Sequence, residues 1–204
     1  MDHINRLAKY FGEFPGIGDR QSKRFVYFLL SQNPEYLKDI SNLIMSLKKN
    51  ISRCDICYRF FPSPNESVCD VCVNIETDTS FLMIVEKDAD YENIRKSKIY
   101  SGRYFILGGL VPIVEKDTSK RIRVRELENA INAQIKEYQL KEIIVALSLN
   151  PHGEHTDMYL REILSPFVEK HGVKITSLGR GLSTGTELEY SDNDTIKNAL
   201  KNRN

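Results

Sequence analysis

The sequence predicts a multidomain protein, all α at its start and α/β in its second half, with a short cysteine-bearing module between. Apolar residues recur at helical spacing before Cys54, four cysteines crowd into residues 54–72, and from Thr79 onward apolar strand-like runs alternate with amphipathic helical patterns. With 204 residues, 41% hydrophobic and 28% charged, the chain has the composition of a folded globular protein and the length for one sizeable core with small modules attached. No run approaches the roughly 20 apolar residues that a membrane-spanning helix needs. The opening Met1–Arg6 carries an acid and lacks a basic start followed by an apolar run, so a cytoplasmic location is expected. The expected divisions are residues 1–53, 54–78, 79–178 and 179–204.

In the first division the helical pattern runs through Leu7, Tyr10, Phe11 and Phe14, then Phe25, Phe28 and Leu29, then Leu37, Ile40, Leu43, Ile44 and Leu47. Gly16 and Gly18 break the first pair of helices, and Asn33-Pro34 starts the next by offering a cap and a first-turn proline. Phe14-Pro15-Gly16-Ile17-Gly18 is followed by Arg20, Lys23 and Arg24 at a helix start. Glycines let the backbone approach a ligand closely, and helix N-terminal amides with nearby cations can hold a phosphate oxygen. A helix-hairpin-helix module grips DNA in this way without reading its sequence. Glycine also turns helix hairpins for purely steric reasons, so the motif alone leaves both readings open. The net charge of +1 gives no global positive field, and DNA contact must come from local placement of these cations.

Cys54-x2-Cys57 and Cys69-x2-Cys72 have the spacing of a four-thiolate metal site. In a chain with no export signal, disulfides are rare and metal is the better reading. Two close pairs can surround one zinc tetrahedrally, supplying the folding energy that so short and polar a segment cannot find in a core of its own. Four thiolates leave no open position, so the expected zinc knuckle is structural.

Strand-like runs occupy Phe81–Val85, Tyr104–Leu107, Ile143–Leu149 and Val173–Leu178, with helical periodicity in Val124–Tyr138 and Thr156–His171. This is the rhythm of a mostly parallel sheet covered by helices. The first strand delivers Glu86 to its C-terminal end, the edge where open α/β sheets place ligands. The third is followed by Asn150-Pro151-His152-Gly153-Glu154. A Toprim fold has a Glu after its first strand and an acidic-x-acidic pair after a later one, holding magnesium for phosphoryl chemistry; here His152 takes one acidic place. Glu86 and Glu154 are therefore the candidate acids, against the plainer reading of a solvated or capping Glu. His152 and His155 do not make the His-Glu-x-x-His pattern of a zinc hydrolase. No Gly-x4-Gly-Lys-Ser/Thr phosphate loop occurs, and Gly179-Arg180-Gly181 lacks the lysine. Thr186–Asn204 reads as a short strand followed by a helix entered at Asp192 or Asp194, and Asp117–Arg125 is the most linker-like stretch.

Taken in order, the glycine hairpin, the cysteine quartet, the Toprim-like sheet and the short C-terminal strand-helix segment resemble the RecR family of recombination mediators, from about residue 4 to residue 203. The matching stretches include Phe14–Gly18, Ile84-Val85-Glu86, Tyr100-Ser101-Gly102-Arg103-Tyr104 leading to Leu107-Gly108-Gly109, Gly153-Glu154-x-Thr156, and Gly185-x-x-Leu188-Glu189-Tyr190-x-Asp192. The resemblance implies a non-catalytic clamp, a homodimer or homotetramer, whose DNA contacts are best matched by Arg20 and Arg24. It also implies RecO and RecF as partners in loading a recombinase at single-strand gaps, and a Walker B-like, subunit-contacting role for the segment holding Glu189 and Asp192.

Four departures point to a diverged or reduced-genome member, or to a paralogue whose partner contacts have changed. Asp19 stands where the family usually has proline, beside the phosphate site. Residues 111–125 lack the Ser-Pro and Gly-x-x-Pro features usual after the glycine pair. An Arg-Asp pair expected just after the knuckle is absent from Asn74–Ser80, and His152 replaces a carboxylate. Two other readings stay open on sequence alone: a magnesium-dependent Toprim nuclease or primase-like enzyme using Glu86 and Glu154, and an interaction scaffold that has lost DNA binding.

Overall fold

The computed structural model describes residues 2–113, 121–179, 181–182, 185 and 187–202. Residues 114–120 of the departing loop, and Arg180, Thr186 and Asn204, lie outside the described residues. The chain divides into two compact units, 1–51 and 52–204.

The first unit is helical, as its periodicity predicts. Helix α1 (His3–Gly12) is capped by the Asp2 side chain, which accepts from the Asn5 amide at 2.7 Å. Helix α2 (Asp19–Leu30) packs against α1 through buried Ala8 and Val26, and Phe11 meets Phe14 and Phe25 edge-on at centroid distances of 5.9 and 5.7 Å. Helix α3 (Pro34–Asn50) opens on the expected Asn33-Pro34, with Asn33 accepting from the Tyr36 amide at 2.8 Å. No residue of α3 is buried, and Leu43, Ile44 and Leu47 stand exposed on it.

The second unit opens with the knuckle: β1 (Ser52–Arg53) pairs antiparallel with β2 (Phe60–Phe61), and a single-turn helix α4 (Asp70–Val73) follows. Then come β3 (Asp78–Val85), α5 (Asp88–Ser97), β4 (Gly102–Ile106), α6 (Val124–Tyr138), β5 (Glu142–Ala146), α7 (Pro151–His171) and β6 (Lys174–Ser177). The four long strands form one parallel sheet in the order β4-β3-β5-β6. Strand β3 is covered on both faces, which is why Leu82–Val85 reads as an unbroken apolar run. Leu82 and Ile84 enter the larger core with Phe105, Leu127, Ile131 and Leu160, while Met83 and Val85 enter a smaller one with Tyr91 and Tyr104.

Three expectations are corrected here. Helix α7 begins at Pro151, five residues before the expected Thr156, because Asn150 accepts from the Gly153 amide at 2.9 Å and Pro151 fills the first turn. His152, Glu154 and His155 therefore lie on a helix and not in a loop. Helix α5 is present between β3 and β4, where no helical pattern stands out; only Tyr91 of its residues is buried. The C-terminal segment forms no strand among its described residues. Leu188–Tyr190 closes instead as a 3-10 turn, its Tyr190 amide donating to the Glu187 carbonyl at 3.1 Å, before α8 (Asn193–Lys201), which Asp192 caps.

Pro166 inside α7 donates nothing to the Glu162 carbonyl, and the Ser165 hydroxyl donates to that oxygen at 2.9 Å. Gly153 is required by closeness: a Cβ there would collide with the Ser148 carbonyl. Gly153→Ala is thus expected to lower stability by about 1–3 kcal/mol, as overpacking against backbone does, read as a fall in the urea midpoint with unchanged slope.

Candidate functional site

The cysteines are brought together by two tight turns. The Tyr58 amide donates to the Cys54 carbonyl at 3.0 Å, the Cys54 amide to the Arg59 carbonyl at 2.9 Å, and the Cys72 amide to the Cys69 carbonyl at 3.0 Å. Tyr58 takes a left-handed backbone, φ 64°, to complete the first turn. All four thiols are buried, and their sulfurs lie within 4.8 Å of one another. The Cys57 and Cys69 sulfurs are 3.6 Å apart. Four sulfurs at about 2.3 Å from a tetrahedral ion would be separated by about 3.8 Å, so the donor set fits a metal ion without rearrangement. The Cys69 amide also donates to the Cys54 sulfur at 3.4 Å, the kind of contact that favours a thiolate. Crowding splits the thiols: hydrogen bonding from Cys57 first, and from Cys72, lowers Cys54 to about 6, while hydrogen bonding to Cys54 and Cys69 pushes Cys57 up.

The knuckle is fastened to the sheet. Ile106, on the outer edge of β4, donates its amide to the Cys57 carbonyl at 2.8 Å, Tyr58 packs on Phe105 at 5.4 Å between centroids, and the Phe60 amide donates to Asp88 at 2.8 Å. The Tyr100–Tyr104 motif is structural at this end of the unit: a Cβ on Gly102 would run into the Tyr100 phenol, whose hydroxyl donates to the Arg103 carbonyl at 2.9 Å. Gly108 adopts φ +95° beneath the Arg123 guanidinium, which donates to the Ile106 carbonyl at 2.7 Å.

At the C-terminal edge of the sheet, β3 and β5 are neighbours whose following loops run in opposite directions, the position where α/β sheets open a crevice. Glu86 lies there with 16% of its side chain exposed; its carboxylate accepts from the Ser148 hydroxyl at 2.6 Å, and Lys87 approaches within 3.8 Å. Glu154 sits in the first turn of α7, exposed. Thr156 is buried: its hydroxyl accepts from the Val111 amide at 2.9 Å and donates to the His152 carbonyl at 2.6 Å, so this motif ties α7 to the loop after β4. Among the described residues, the cysteine quartet alone gathers three or more metal-binding side chains; Glu86 and Glu154 gather no third. A cavity of about 610 Å³ opens beside Glu154, lined also by Pro151, Asp192, Lys197 and Lys201. Glu189 lies exposed on the 3-10 turn.

In the first unit, Gly16 has φ +76° in the turn, and Gly18 precedes α2 in extended backbone with no side-chain cap. Arg20, Lys23 and Arg24 are exposed within the first two turns of α2, with Arg24 donating to Gln21 at 3.3 Å. Asp19 occupies the first turn, where the helix dipole favours an acid. Sequence reasoning misses Ser148, Arg59 and Arg123, since each acts through a partner distant in the chain.

Comparison with known proteins assigns the class first: the Toprim domain family matches residues 80–179, so this is a Toprim-domain protein with a four-cysteine knuckle and a helical N-terminal unit. The recombination protein RecR of Dehalococcoides mccartyi is 34% identical over 98% of this chain and 93% of its own length. That of Bifidobacterium longum subsp. infantis is 34% identical over 98% and 94%, and that of Chloroherpeton thalassium 30% identical over 98% and 95%. The chain belongs to the RecR family of recombination proteins. These relatives are named for recombination and not for an enzymatic reaction. No helix among the described residues is long and apolar enough to cross a membrane.

The donor set gives a direct expectation. The purified protein should carry one divalent metal ion per chain by atomic absorption, and Cys57→Ser should lose most of it together with slow amide exchange in residues 54–73.

Proposed function

We propose that this protein is a non-catalytic, sequence-independent DNA-binding clamp of recombinational repair, with a structural zinc in its knuckle. The observation that carries the DNA reading is the α1–α2 turn: Gly16 takes a left-handed backbone, Gly18 leaves α2 without a side-chain cap, and Arg20, Lys23 and Arg24 are exposed beside its first amides. A phosphate oxygen at that N-terminus meets amide donors and cations together. Asp19 weakens the site electrostatically, and Arg20 beside it offsets that charge.

A single hairpin makes few phosphate contacts and binds weakly, whereas several on one assembly add theirs. The clamp is therefore a homodimer or homotetramer. The exposed Leu43, Ile44 and Leu47 of α3 support association, as does the segment holding Glu189 and Asp192. Zinc is the ion of choice because four thiolates in tetrahedral array suit it and leave no site for substrate. When bound it supplies folding energy to the knuckle. Family membership supports RecO and RecF as partners, recombinase loading at gaps as the task, and the cytoplasm as the location. The naming of its relatives for recombination, and not for an enzymatic reaction, supports a Toprim crevice that docks or binds but does not cut.

Arg20→Ala combined with Arg24→Ala is expected to abolish DNA binding at moderate salt and leave the unfolding midpoint unchanged. The log–log salt slope should become shallower by roughly 0.9 for each phosphate that the variant no longer neutralises. Unchanged affinity at low salt would remove the hairpin from the interface. Glu86→Gln should leave DNA affinity unaltered, and labelled DNA should stay intact with magnesium for both proteins; cleavage that disappears in the variant would restore the nuclease reading.

A further inference from the structure

We propose that Arg59 is the outer-sphere partner of the metal centre and the link through which metal occupancy sets the order of helix α5. This rests on the zinc reading of the four cysteines.

Arg59 is only 6% exposed, and a buried guanidinium is costly unless its donors are paired. One arm is paired: Nη2 donates to Asp70. Its Nε, fully buried, has no partner among the described residues. Arg59 is tied to the cysteine turns at both ends: its carbonyl accepts from the Cys54 amide at 2.9 Å, and the Asp70 that its guanidinium holds directly follows Cys69. Four thiolates around a divalent ion leave a net negative charge, and a guanidinium N–H directed at one of those sulfurs both satisfies the orphaned donor and offsets the charge. Arginine suits the place better than lysine, because its planar fork serves the sulfur and Asp70 at once while stacking 5.0 Å from the Tyr91 ring and 5.8 Å from the Phe61 ring.

From Cys69 the chain of contacts runs on into α5. Asp70 holds Arg59 with one oxygen and accepts from Arg95 with the other at 2.8 Å; Arg95 in turn donates to the hydroxyl of Tyr91, which is 1% exposed. The Phe60 amide grips the opposite end of α5 at Asp88. This helix, DADYENIRKS, packs on the sheet through Tyr91 and the partly buried Ile94 alone, so its polar ties to the knuckle add to a small apolar contact. It starts directly after Glu86-Lys87, with Asp90 accepting from the Lys87 amide at 3.2 Å, and its order bears on the crevice end of β3.

The test uses the full-length zinc-loaded protein, with zinc release to the chelating dye 4-(2-pyridylazo)resorcinol as one readout and amide hydrogen exchange of residues 88–97 as the other. Arg59→Gln is expected to release zinc roughly ten-fold faster, the scale of losing an outer-sphere partner, with Arg59→Lys recovering part of that loss. In the unsubstituted protein, stripping zinc should speed exchange in α5 far more than in α7. Equal release rates for the unsubstituted protein and Arg59→Gln would overturn the outer-sphere role. Protection of α5 that is indifferent to metal in the unsubstituted protein, an arm that needs no variant, would overturn the link. A protein that takes up no zinc at all would instead overturn the zinc reading on which both depend.

Discussion

The hydrogen bond from the Ile106 amide to the Cys57 carbonyl joins the knuckle to the edge of the sheet. Strand β4 is the edge of the parallel sheet, and an uncovered edge invites pairing with another chain. The knuckle meets that edge, yet it has almost no core: its cluster is four cysteines and Phe61, with Ile56, Val68 and Val71 only partly buried. Its geometry therefore depends on sulfurs held within 4.8 Å, and the cover over β4 inherits that dependence. A small module that cannot fold by burial is stabilised by coordination, and a sheet that cannot leave its edge bare is finished by that module.

The C-terminal edge of the same sheet, beyond β3 and β5, is built by close approach. Gly153 admits the Ser148 carbonyl, which lets α7 start immediately after β5 and puts Glu154 in its first turn. The crevice so formed holds Glu86 against the Ser148 hydroxyl, while Thr156 ties the helix to the loop beyond β4. These contacts position and satisfy polar groups; they assemble no cluster of acids among the described residues. A member of the RecR family thus keeps the Toprim architecture together with a helical unit that carries the glycine turn and its exposed cations.

What can be read from the sequence follows the range of the forces involved. Helix α6 has its expected bounds, Val124–Tyr138, because its apolar stripe is long and periodic. The strands fall within a few residues of expectation because burial on both faces makes them continuous apolar runs. The cysteine quartet is legible because metal geometry writes itself into spacing. Helix α5 is not, since a single buried residue gives no period and its partners, Asp70 and Phe60, are remote in the chain. The early start of α7 is readable in principle from Asn150-Pro151, the same signal that marks α3. The expected C-terminal strand fails because Leu188–Tyr190 satisfies its backbone locally, with the Tyr190 amide on the Glu187 carbonyl and the Ser191 amide on the Leu188 carbonyl. Ser148 and Arg59 carry no local signature; only the fold reveals what each one meets.

The account turns on binding without cutting, and sedimentation of the zinc-loaded protein with a labelled gapped duplex in magnesium, at low and at moderate salt, tests it most directly. The expected result is a dimer or tetramer that co-sediments with intact DNA at low salt and releases it as salt rises, with a steep log–log slope. A zinc-bound monomer that ignores DNA at low salt, or a duplex recovered in fragments, would contradict it.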